Sequence, residues 1–119
     1  MKVSANELRI GNLVFLSSKQ KEYEISSGHD IEEIEDGLDA EPIPLTEEWL
    51  QKTGLEKTSI LYQKGKFAIK AWKVGVDIEW VIFWGDHVIL YVKDYHVHQL
   101  QNLYFALTGE ELTFKTDSQ

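Results

Sequence analysis

The sequence predicts an α+β fold, an antiparallel sheet covered by a helix, and three observations predict it. Residues 59–93 read as strands of an antiparallel meander, punctuated by Lys64-Gly65 and Gly85-Asp86. Residues 98–108 carry Leu100, Leu103, Tyr104 and Leu107 at helical spacing, with Gly109 as their stop. Residues 10–16 and 23–26 are short strand-forming runs joined by the turn signal Ser17-Ser18-Lys19-Gln20.

Taken in order, residues 10–16 are a first strand, and Tyr23-Glu24-Ile25-Ser26 alternates in polarity, so it returns as the second arm of a small hairpin. An SH3-like half-barrel is the alternative arrangement for this amino-terminal region. Ile31, Ile34 and Leu38 lie among seven acids between Asp30 and Glu41, and a third short strand is expected there. Pro42-Ile43-Pro44 then enforces extended backbone.

A short helix over 46–53 follows, with Thr46 as N-cap, Glu47 and Glu48 at the positive end of the helix dipole, Leu45 stapled to Leu50, and Gly54 as a left-handed stop. Two turns of helix cannot stand alone and must dock Trp49 and Leu50 on apolar surface. In the meander, residues 60–63 lead into 67–73, then 76–84 and 87–93. Ile78, Trp80, Ile82 and Trp84 point one way while Val81 and Phe83 point the other, so both faces need cover. The terminal helix is expected on one face of the meander, with the amino-terminal strands and the Trp49 helix as further cover. Residues 111–114 are expected to add an edge strand, and the 119 residues suit one domain.

Composition limits function more than it reveals it. Twenty acidic against twelve basic side chains give a formal charge of −8, which repels phosphate backbones and anionic lipid. Nucleic acid and membrane are therefore disfavoured as partners. The absence of cysteine excludes disulfides, thiolate metal sites and a cysteine nucleophile, and suits a chain folding in a reducing, cytoplasmic setting. No apolar leader and no run long enough to span a bilayer occur in the sequence. Charge is also uneven: residues 22–56 hold twelve acids against Lys52 alone, whereas residues 57–73 hold five lysines and no acid.

Three blocks carry a resemblance. The terminal segment His98-Gln99-Leu100-Gln101-Asn102-Leu103-Tyr104-Phe105-Ala106-Leu107-Thr108-Gly109-Glu110-Glu111-Leu112, the segment Glu41-Pro42-Ile43-Pro44-Leu45-Thr46-Glu47-Glu48-Trp49-Leu50, and the opening Glu7-Leu8-Arg9-Ile10-Gly11-Asn12 together resemble a family of short uncharacterised proteins of bacterial and bacteriophage or prophage genomes. The blocks cover about a quarter of the chain. No activity attaches to that family, so the resemblance implies carriage on mobile elements and not a mechanism.

No glycine-rich phosphate loop, nucleophile elbow or zinc-protease helix occurs, and the carboxylates lie in a hydrated run that gives no cause for shifted acidity. A non-enzymatic protein without cofactor is expected. His96-Val97-His98 is the nearest approach to a metal motif, but two imidazoles without an assured third ligand read as surface and helix-start residues.

The aromatic residues are the stronger signal, since four tryptophans, five tyrosines and five phenylalanines exceed what a small core needs. Trp72, Trp80, Trp84 and Tyr91 on the sheet, with Tyr104 and Phe105 on the terminal helix, are the candidate contacts to a protein partner or a second copy of the chain. Glu32, Glu33, Glu35, Asp36, Asp39 and Glu41 are the candidate acidic surface. An accessory or interaction protein is the function expected from these. Two rival readings use the charges: the carboxylates as a decoy for a DNA-binding protein, or Lys57, Lys64, Lys66, Lys70 and Lys73 with Tyr62 and Trp72 stacking on single-stranded nucleic acid.

Overall fold

The computed structural model describes Val3, residues 7–35, Gly37, residues 40–59 and residues 61–114. Over these residues it shows the α+β class, with three helices and two antiparallel sheets of three and five strands. The backbone divides into two compact units, Met1–Pro44 with His96–Glu111, and Leu45–Tyr95 with Leu112–Gln119.

In the first unit β1 (Leu13–Leu16) pairs on one side with β2 (Lys21–Glu24) and on the other with β3 (Ala40–Glu41), giving the order β2-β1-β3. Val14 and Leu16 face inward, where they join Val3, Leu8, Ile25, Ile34 and Ala40 in an apolar cluster.

The segment expected as a third strand is mostly a helix, α1 (Gly28–Glu35), with only Ala40–Glu41 extended. Its start explains the difference. Asp30 Oδ2 accepts from both the backbone N–H and the hydroxyl of Ser26 at 2.9 Å, and His29 pairs with Glu33 one turn on at 2.8 Å. These bonds to the ionised form hold the Asp30 carboxyl below its ordinary pKa. Ile31 and Ile34, three residues apart, then share the inner side of the helix.

The terminal helix α3 (Val97–Thr108) is closed at its start by Gln99, whose Oε1 accepts from the His96 N–H at 3.0 Å, and at its end by Gly109 at φ +75°. It is the expected helix layered on a sheet. Within its own unit it packs on β1.

The second unit opens with α2 (Glu47–Gln51), capped by Thr46 Oγ1 accepting from the Trp49 N–H at 3.3 Å. Gly54 is not its left-handed stop. The chain leaves the helix at Lys52 in ordinary right-handed geometry, and Thr53 Oγ1 donates to the Leu50 carbonyl at 2.6 Å. Residues 111–114 add no strand, only an isolated bridge from Phe114 to Thr53, with Trp49 edge-on to Phe114 at 5.4 Å.

The sheet itself runs β4 (Glu56–Lys57), β5 (Tyr62–Lys64), β6 (Phe67–Val74), β7 (Asp77–Trp84) and β8 (His87–Val92), each paired antiparallel with the next. Three two-residue loops join the last four strands, and each places a glycine first at positive φ: Gly65 at +60°, Gly75 at +64° and Gly85 at +64°. That glycine position is what a tight hairpin loop requires to keep the strand twist. Residue 60, where the first strand of the meander was expected to begin, lies outside the described residues.

Candidate partner-binding face

The register of β6, β7 and β8 sorts their side chains onto two faces. One face carries Phe67 and Ile69 of β6, Trp80 and Ile82 of β7, and Tyr62 of β5, all buried, with Trp84, Leu90 and Val92 half-buried beside them. Trp80 is 2% exposed, so it belongs to the core and not to a contact surface. Trp84 shares that inward face.

The other face carries Trp72 opposite Glu79, Lys70 opposite Val81, and Tyr91 opposite Val81 from the far side. Trp72 is 49% exposed, Tyr91 54% and Val88 56%. Two of the four sheet aromatics named as candidates therefore lie on one open face.

This face is chemically uneven. Glu79 is buried among its neighbours, and the Tyr91 hydroxyl hydrogen-bonds to it. That bond, with the negative charge behind it, raises the Tyr91 pKa above its ordinary value of 10.0. The Lys70 ammonium lies 4.6 Å from the centre of the Trp72 ring, within cation–π range. The result is two exposed rings with a carboxylate recessed between them. Beside it, among the described residues β5 pairs with Phe67–Ile69 of β6, and a shallow depression of about 280 Å³ beyond them is lined by Lys70, Ala71, Trp72 and Lys73.

The helix candidates divide in the same way. Tyr104 is 2% exposed and is a core residue. Phe105 faces outward, and the Arg9 guanidinium lies 4.3 Å from the centre of its ring. Of the acidic set, Glu32, Glu33 and Glu35 are exposed on α1, Glu41 is half-buried and accepts from the Ser17 hydroxyl at 3.0 Å, and Asp36 and Asp39 lie outside the described residues.

The lysines do not converge on one surface. Lys70 is on the open face, while Lys64 and Lys73 pair across from Phe67 and Ile78 of the other face. Tyr62, named as a stacking residue, is buried. His96 and His98 stack at 6.1 Å, and His98 is buried. Among the described residues no group of three or more metal-ligating side chains comes together, and no helix is long and apolar enough to cross a membrane.

One functional grouping escaped the sequence reading. Gln101 and Asn102, polar residues of α3, turn onto the amino-terminal segment. Gln101 Nε2 donates to the Gly11 carbonyl at 2.9 Å, and its Oε1 accepts from the Leu13 N–H at 2.9 Å. Asn102 Oδ1 accepts from Arg9 Nε at 2.8 Å and from Asn12 Nδ2 at 2.9 Å, while Arg9 Nη1 reaches Glu111 at 2.9 Å. Arg9, Gly11 and Asn12 thus lock onto Gln101 and Asn102 of the terminal helix.

Comparison of the chain with known protein families, with curated proteins and with solved structures gives no match.

Proposed function

We propose that this is a non-enzymatic interaction protein of bacterial or phage origin, which holds a protein partner on the open face of its five-stranded sheet. The observation that carries the reading is the presence of Trp72 and Tyr91 on one face, each about half exposed, on either side of β7 and its recessed Glu79. Large rings that are solvated alone and desolvated on contact dominate protein interfaces, and a carboxylate set between them adds selectivity for a donor. The exposed carboxylates of α1 contribute a general attraction to a basic partner.

The test is affinity purification from the native host with the wild-type chain and with Trp72→Ala and Tyr91→Ala. Both variants remove exposed side chains and should fold normally, as judged by circular dichroism. A partner retained by the wild-type chain and lost from both variants supports the reading; equal recovery by all three overturns it.

A further inference from the structure

We infer that the free edge of β8 pairs antiparallel with β8 of a second copy, across a two-fold axis, to join two five-stranded sheets into one. This goes beyond the reading of the open face and shares only Tyr91 with it.

The edges of the sheet differ in how they are protected. Exposed sheet edges present unpaired N–H and C=O groups, and proteins blunt them with short strands, charge or proline. At one end β4 has only two residues, Glu56 and Lys57, both charged and exposed. The uncovered stretch of β6 carries Lys70 and Lys73. At the other end β8 is six residues long, His-Val-Ile-Leu-Tyr-Val, without acid, lysine, arginine or proline, and Val88, Ile89 and Tyr91 are exposed. Among the described residues its one hydrogen-bonded neighbour in the sheet is β7.

The register of β8 makes it complementary to itself. Ile89 is an extra residue opposite the step from Ile82 to Phe83, and this bulge shifts the alternation by one. Val88, opposite Phe83, therefore shares the open face with Tyr91, opposite Val81; His87, opposite Trp84, shares the other face with Val92, opposite Trp80. A two-fold antiparallel pairing that sets His87 against Val92 and Val88 against Tyr91 uses the whole strand and matches faces at both pairs. Moving the register by one residue sets open-face side chains against inward ones.

In the same register, the residues just past the strand ends are Asp86 and Lys93, each exposed and each opposite the other in the second copy. Two opposite-charge pairs, one at each end, fix the alignment. Asp94 falls opposite Gly85, so no like charges meet.

The test is sedimentation of the wild-type chain over a concentration series at near-physiological salt, with Asp86→Lys and the double variant Asp86→Lys/Lys93→Asp. Lysine suits the second loop position, since Lys66 follows Gly65 in the corresponding loop of the β5–β6 hairpin. A wild-type dimer, weakened about tenfold by Asp86→Lys and restored by the double variant, supports the pairing. A wild-type monomer throughout overturns it, as does a dimer indifferent to Asp86→Lys. Trp72→Ala should leave the dimer intact; loss of the dimer in that variant would place self-contact on the open face and overturn the edge pairing. Should the wild-type chain prove monomeric while Trp72→Ala still loses a captured partner, the edge inference fails and the face reading stands.

Discussion

Gln101 Oε1 accepts a hydrogen bond of 2.9 Å from the backbone N–H of Leu13, the first residue of β1, although 88 positions of sequence separate the two. The other end of the same amide donates to Gly11, so one buried side chain satisfies backbone groups on both sides of Asn12. Buried backbone groups need such partners, because leaving one unpaired costs more than the bond itself contributes.

Replacing Gln101 by Ala should therefore destabilise the fold by about 2 kcal/mol, the cost of orphaning a buried donor and acceptor together with the lost packing. Urea denaturation followed by circular dichroism measures it. A loss within about 0.5 kcal/mol would mean that water replaces the amide without penalty.

The two faces of the sheet should separate in stability as they do in exposure. Trp80→Ala empties a buried ring site and is expected to cost about 4 kcal/mol. Trp72→Ala, on the open face, should change stability by less than about 1 kcal/mol. Paired denaturation curves decide this, and similar losses for the two would contradict the face assignment.

His98 is buried beside His96, and Glu7 Oε1 lies 3.6 Å from its Nε2, beyond hydrogen-bond length; neither ring nitrogen has a bonding partner among the described residues. Desolvation pushes its pKa below the ordinary 6.5, against the opposing pull of the Glu7 charge. The unfolded chain thus takes up a proton more readily than the folded one. Stability from this group is complete above the unfolded value of 6.5 and is lost as pH falls below it towards the lower folded value. Denaturation midpoints at neutral pH and at about pH 5 should fall more steeply for the wild-type chain than for His98→Asn, which does not titrate there. Equal slopes would overturn the assignment.

Gly109 and Gly54 should respond differently to alanine, although no atom lies within 4 Å of the position a Cβ would take at either. Gly109 ends α3 at φ +75°, and Gly109→Ala should cost about 1 kcal/mol in backbone strain. Gly54 is not in the left-handed region, so Gly54→Ala should be neutral or slightly stabilising. Thermal melts of the two variants provide the comparison.

How much of this was legible in the sequence follows from the range of each signal. The hairpins of the second unit announce themselves because glycine at the first loop position and period-two alternation are local, and the end of α3 does so through Gly109. The helix α1 was missed although Ser27 followed by Asp30, and Ile31 followed by Ile34, carried a capping and spacing signal; the density of acids obscured it. The sides of the alternation in β7 were readable, yet which side is buried depends on tertiary cover that no local pattern states. For β8, a single extra residue at Ile89 moved Val88 into phase with Tyr91, and nothing in the run His87-Val88-Ile89-Leu90-Tyr91-Val92 marks where the bulge falls. The clamp of Arg9, Asn12, Gln101 and Asn102 was invisible as chemistry because its halves stand some ninety positions apart.

That separation also bears on the order of events at the ribosome. The strands from β5 to β8 are linked by tight loops and can assemble as soon as they emerge, whereas β1 must wait for His96–Glu111 before its edge residues find their lasting partners. Until then the nascent chain holds Leu13, Val14 and Leu16 in need of shelter, so interruption of translation between Tyr95 and Gln101 should yield products that chaperones and proteases seize first.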